Sequence, residues 1–77
     1  MNKQEFQIVL GKRIRQLRES KGISQVALSH LIEIERSNMS RIESGNTNPT
    51  SFLLYTIAQK LGIEPSDLLN FEALREE

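Results

Sequence analysis

SQVALSHLIEIERSNMSRIESG, residues 24–45, holds two short amphipathic patterns separated by a break, and this arrangement decides the fold. Ser24 is a good helix N-cap, because its hydroxyl can accept from amides that the first turn leaves unpartnered. Ala27, Leu28, Leu31 and Ile32 then recur at helical spacing and predict a buried face. After Glu33-Ile34-Glu35 the pattern restarts at Arg36, with Met39 and Ile42 facing inward, mostly polar residues between them, and Gly45 at the end. Two short helices are expected, joined by a turn of about three residues, the second with a hydrophilic outer surface.

Working outward, Phe6, Leu10, Ile14 and Leu17 form one apolar stripe and predict a first helix over about residues 3–20, closed by Gly22. Downstream, Asn46-Thr47-Asn48-Pro49 reads as a loop. Thr50 or Ser51 can cap a fourth helix that buries Leu54, Ile57, Ala58 and Leu61 and stops at Gly62. Pro65 suits the first turn of a fifth helix, about residues 65–75, where Ser66 and Asp67 complement the positive end of the dipole. No segment alternates with period two, so the expected fold is all-α, a single five-helix domain over residues 1–77.

A chain of 77 residues leaves no room for a separate sensing or catalytic domain, so any response to a signal is expected to act through oligomerisation or a partner. Cysteine is absent and His30 is the single histidine, which argues against disulfides and metal sites. His30 itself reads as an exposed helix residue. The longest apolar runs are far shorter than the roughly 20 residues that span a bilayer, and the start lacks a signal-peptide layout, so a cytoplasmic location without membrane or cofactor is expected. An enzyme is disfavoured, because no nucleophile–base pairing, catalytic carboxylate cluster or phosphate-cradling glycine loop is evident. Net charge is zero, yet residues 1–45 carry +3 and residues 46–77 carry −3. One end of the domain is therefore suited to phosphate and the other to solvent or a partner.

Residues 24–45 have helix-turn-helix spacing. Ser24-Gln25, Leu28, Ile34, Arg36, Ser40, Ile42-Glu43 and Gly45 resemble the Cro and lambda-repressor-like helix-turn-helix transcription regulators. Upstream Ile14, Leu17-Arg18 and Gly22, and downstream Asn48-Pro49, Leu54, Ile57-Ala58, Leu61-Gly62 and Leu68-Leu69, extend the resemblance over about residues 10–70. Within that family the chain is similar to compact stand-alone regulators, including the controller proteins of restriction-modification systems.

The resemblance implies a compact lambda-repressor-like domain whose helices 2 and 3 form the DNA-binding motif, with helix 3 in the major groove of a double-stranded DNA operator. Arg36, Ser37 and Asn38 are then expected at base edges, Arg36 as a bidentate donor to guanine. Arg41, about 140° further round the helix, would reach another base or a phosphate. Gln25 matches a family residue that grips phosphate, and Ser40, Asn46 and Asn48 are candidate neutral donors to the backbone. Lys12, Arg13 and Arg15 could add charge at the flank. Arg18 and Glu43 match positions that form an internal ion pair. Binding as a homodimer to a palindromic site is expected, because one short helix reads few base pairs. Leu68, Leu69, Phe71 and Leu74 of helix 5 are nominated as the dimer interface.

Three positions depart from the family pattern: Glu33 replaces a glycine, Glu35 a better capping residue, and Ser29 an alanine. The first is expected to strain or reshape the turn. A second reading, a protein-binding adaptor or antitoxin-like module on the same fold, draws on the acidic second half of the chain.

Overall fold

The computed structural model describes residues 1–76, which form four α-helices followed by two short 3₁₀ segments. Helix α1 spans Lys3–Ser20, α2 Gln25–Leu31, α3 Arg36–Glu43 and α4 Ser51–Leu61. Three of the four are capped by a side chain: Asn2 Oδ1 accepts from the Glu5 amide at 2.8 Å, Ser24 Oγ from Ala27 at 3.0 Å, and Thr50 Oγ1 from Leu53 at 3.1 Å. Glu35, which precedes α3, makes no such bond.

All four helices end in the same way. The amides of Ile23, Ile34, Asn46 and Ile63 reach back to the carbonyls of Arg18, Ser29, Arg41 and Ala58 at 2.9–3.2 Å. The residue before each of these amides is left-handed, at Gly22, Glu33, Gly45 and Gly62. Glu33, with φ 58°, is the one non-glycine residue in that conformation among the described residues. The helix-turn-helix bend is thus kept in its ordinary geometry despite the glutamate, which carries the strain of a Cβ in the left-handed region.

The expected fifth helix is replaced by 3₁₀ segments at Pro65–Leu69 and Phe71–Glu76. Tight local bonds account for this. The Asp67 amide donates to the Glu64 carbonyl at 2.9 Å, Asp67 Oδ2 accepts from the Glu64 amide at 3.0 Å, and Asn70 leaves the helical region at ψ 82°.

Leu10, Ile14, Leu28, Ile32, Met39, Ile42, Ile57, Ala58, Leu61 and Leu68 make the core, with Phe6, Leu17, Ile34, Leu53, Leu54 and Phe71 partly buried against it. Ala27 and Leu31, expected on the buried face of α2, are exposed. In so short a helix only a narrow arc points inward, and Leu28, Ser29 and Ile32 occupy it. Ser29 tolerates full burial because its hydroxyl donates to the Val26 carbonyl at 2.7 Å.

Two contacts fix α3 against α1. Gly11 is buried, and a Cβ there would lie 2.5 Å from the carbonyl oxygens of both Ile42 and Glu43, so the helices meet backbone to backbone. One to two turns further on, Arg18 Nε and Nη2 donate to the two Glu43 carboxylate oxygens at 2.7 and 2.9 Å, and Nη1 donates to the Ile23 carbonyl at 2.8 Å. The two side chains are only 9% and 4% exposed. Hydrogen bonding to Glu43 raises the Arg18 guanidinium above its ordinary value.

Arg13, read from the sequence as a flanking cation, is buried instead. Its Nε donates to the Asp67 carbonyl at 2.8 Å and its Nη1 to Gln16 Oε1 at 2.6 Å, while Gln16 Nε2 donates to the Ala73 carbonyl at 3.3 Å. These bonds, with the edge-on Phe6–Phe71 ring pair at 5.7 Å, hold the 3₁₀ segments onto α1. No helix among the described residues is long and apolar enough to cross a membrane.

Two substitutions probe this frame by urea denaturation. Gly11→Ala pushes α1 off rigid backbone atoms and is expected to destabilise by about 1–3 kcal/mol. Glu33→Gly relieves the left-handed strain, partly offset by a more flexible unfolded chain, and is expected to stabilise by up to about 1 kcal/mol.

Candidate nucleic-acid interface

Helix α3 has a sharply divided surface. Met39, Ile42 and Glu43 are buried, whereas Arg36, Ser37, Asn38, Ser40 and Arg41 are exposed. Among the described residues, no hydrogen bond or ion pair within the molecule engages the side chains of these five, of Glu35 or of Asn48. That is unusual company for cations and carboxylates one residue apart. Glu35 is extended and Arg36 opens the helix, and no ion pair joins the two side chains.

The outward residues divide between two hollows. Gln25 lies with Arg36, Ser37 and Ser40 around one shallow polar depression. Asn38, Arg41 and Asn48 lie around the other, where Thr47 and Thr50 add hydroxyls and Ile34, Pro49 and Leu53 give an apolar floor. Asn46 borders neither and donates from Nδ2 to Ser44 Oγ at 3.2 Å. Thr47 and Thr50 were not expected at this surface. Thr50 reads from the sequence as a cap only, and Thr47 lies in a loop from which only its neighbours Asn46 and Asn48 are expected at the site.

Gln25 is half-buried, and its Nε2 donates to Glu43 Oε1 at 3.2 Å. Its amide is therefore fixed by the same carboxylate that Arg18 holds, which ties the start of α2 to the end of α3. Cations are fewer at the surface than the sequence count implies, because Arg13 and Arg18 are consumed internally. Lys3, Lys12, Arg15, Lys21, Arg36, Arg41 and Lys60 remain exposed among the described residues, and Arg15 pairs with Glu19 at 3.6 Å. Glu33 and Glu35 are exposed at the turn beside Arg36.

The nominated dimer residues are not equivalent. Leu68 is 1% exposed and belongs to the core, because the 3₁₀ turn directs it inward between α1 and α4, so it is withdrawn from the proposed interface. Phe71 and Leu74 are partly buried, and Leu69 is 52% exposed. Helix α4 adds Phe52 and Tyr55, 75% and 51% exposed, with rings stacked 6.4 Å apart. Their sequence signal was available: two aromatics three residues apart, off the stripe of Leu54, Ile57, Ala58 and Leu61.

Comparison with known proteins agrees with this geometry. A family model described as a helix-turn-helix domain matches residues 11–74. The control protein C.BamHI of Bacillus amyloliquefaciens is 33% identical over 70 residues, covering 90% of this chain and 86% of that protein. The crystal structure of the restriction-modification controller protein C.AhdI from Aeromonas hydrophila superposes with a TM-score of 0.76 at 36% identity, over 79% of this chain and 92% of that one. The structure of SinR, a master regulator for biofilm formation, in complex with DNA, superposes with a TM-score of 0.72 at 32% identity, over 79% and 98% of the two chains. Fold, motif and relatives converge, and the chain belongs to the helix-turn-helix domain family, among relatives that are transcriptional regulators and controllers.

Proposed function

We propose that the chain is a sequence-specific transcription regulator that binds a palindromic DNA operator as a homodimer, with α3 in the major groove. The observation that carries this reading is the outer face of α3, where exposed donors and acceptors have no partner within the described molecule. A surface that only had to be wet would gain by local pairing, as Arg15 and Glu19 do on α1.

Arg36 reads a guanine through O6 and N7, and Ser37 and Asn38 follow it along the groove. Gln25, held by Glu43, and Ser40 meet phosphates on one flank. Arg41, Asn48 and Asn46 meet them on the other, and Thr50 adds a hydroxyl there. Because α3 presents only two cations, Arg36 and Arg41, neutral donors supply much of the backbone contact. The molecule measures 31 × 22 × 20 Å, so two copies side by side suit half-sites about 34 Å apart. The exposed apolar side chains of Leu69, Phe52 and Tyr55 provide the surface for self-association, with Phe71 and Leu74 contributing their accessible edges.

Selection from a randomised duplex pool, followed by titration at several salt concentrations, tests the reading. Palindromic sites are expected, and Arg36→Ala is expected to weaken them by about 1–3 kcal/mol per half-site. If wild type enriches no sequence and binds every duplex as Arg36→Ala does, the DNA reading fails and an adaptor or antitoxin-like role takes its place. Leu69→Glu, on an exposed position, is expected to give a folded monomer in sedimentation with the operator affinity of a single half-site.

A further inference from the structure

We infer that Glu35 is a specificity-determining residue whose carboxylate selects cytosine at the base pair next to the one read by Arg36. This rests on the DNA-binding reading above and assigns a role to a side chain which the fold does not use. Glu35 holds the N-cap position of α3, where its carbonyl accepts from the amides of Asn38 and Met39 at 3.0 and 3.1 Å. The other three helices fold a short capping side chain back onto their first turn, at Asn2, Ser24 and Thr50. Glu35 has one methylene more than a capping aspartate and leaves its carboxylate unbonded to the helix. It is exposed, and no cation within the described molecule pairs with it.

Position and chemistry together define what it can read. Glu35 is extended and immediately precedes Arg36 at the head of α3, so with α3 in the groove the two side chains enter it side by side and address different base pairs. A carboxylate only accepts hydrogen bonds. In the major groove cytosine offers the N4 amino donor alone, and adenine offers N6 beside the acceptor N7. Guanine and thymine present the acceptors O6, N7 and O4 on their edges and repel a carboxylate. Cytosine is therefore favoured, adenine is second, and the other two bases are rejected. The same charge lowers affinity for every phosphate backbone, so Glu35 acts by excluding wrong sites more than by strengthening the right one.

The test uses the full chain as wild type and Glu35→Gln. Each is selected on a random duplex pool, then titrated against the chosen operator with all four bases at every half-site position. Because Glu35 is exposed and does not cap, the variant keeps the fold, which circular dichroism checks. Wild type is expected to prefer cytosine about tenfold at one position beside the guanine read by Arg36. In Glu35→Gln that preference moves to adenine or disappears, since an amide bonds adenine N6 and N7. Binding of unrelated DNA at low salt rises several-fold in the variant. A wild-type site without a cytosine preference, or a preference unchanged in Glu35→Gln, overturns the assignment while leaving DNA binding intact. Failure of wild type to select any site overturns the DNA reading and this inference with it.

Discussion

Helix α3 can present an unpaired polar face because its other side is held independently of that face. The backbone contact at Gly11 sets how near α1 comes to the last turn of α3, and the Arg18–Glu43 pair sets how α3 is oriented against α1. Neither works alone. A glycine permits close approach but gives no direction, and a buried ion pair gives direction while its desolvation limits what it adds to stability. Gln25 shares the Glu43 carboxylate, so one acidic group orients the residues at both ends of the motif. The shape of the recognition surface is consequently a property of α1 as much as of the two helices named for it.

Much of this was legible before the structure. The three- and four-residue apolar spacing in α1 and α4, the capping Ser24 and Thr50, and the glycines after α1, α3 and α4 each state a local requirement that tertiary packing does not override. The failures lie where local signals compete. Pro65 is as compatible with a 3₁₀ turn as with an α-helix, and the Glu64–Asp67 bonds that decide between them involve side chains suited to either. Ala27 and Leu31 have apolar side chains, but the inward arc of a seven-residue helix is set by its partners, and it admits Ser29 instead.

The candidate site was less legible than the fold, for a physical reason. A lysine or arginine in a sequence carries the same formal charge whether it faces DNA or a carbonyl. Arg13 and Arg15 are two residues apart on α1, yet one is buried against the carbonyl of Asp67 and the other stands in solvent beside Glu19. Helical phase sets Arg13 beside the apolar stripe, three residues after Leu10 and four before Leu17, but its partner there is supplied by the C-terminal 3₁₀ segments, the part of the chain read least well. Gly11 carried a signal that the reading of the sequence passed over, since a glycine inside a strong helical pattern often marks a close packing contact.

The left-handed Glu33 and the bare outer face of α3 have a common outcome for how such a protein can change. The side chains at 35, 36, 37, 38, 40 and 41 form no bond that the fold relies on, so replacing them alters what is recognised while leaving the scaffold's thermodynamic reserve almost untouched. Most proteins couple the two, and a new binding preference then arrives with a loss of stability. Here drift in the recognised sequence is close to neutral for folding. Related chains built on this frame can therefore diverge rapidly in target while keeping superposable backbones.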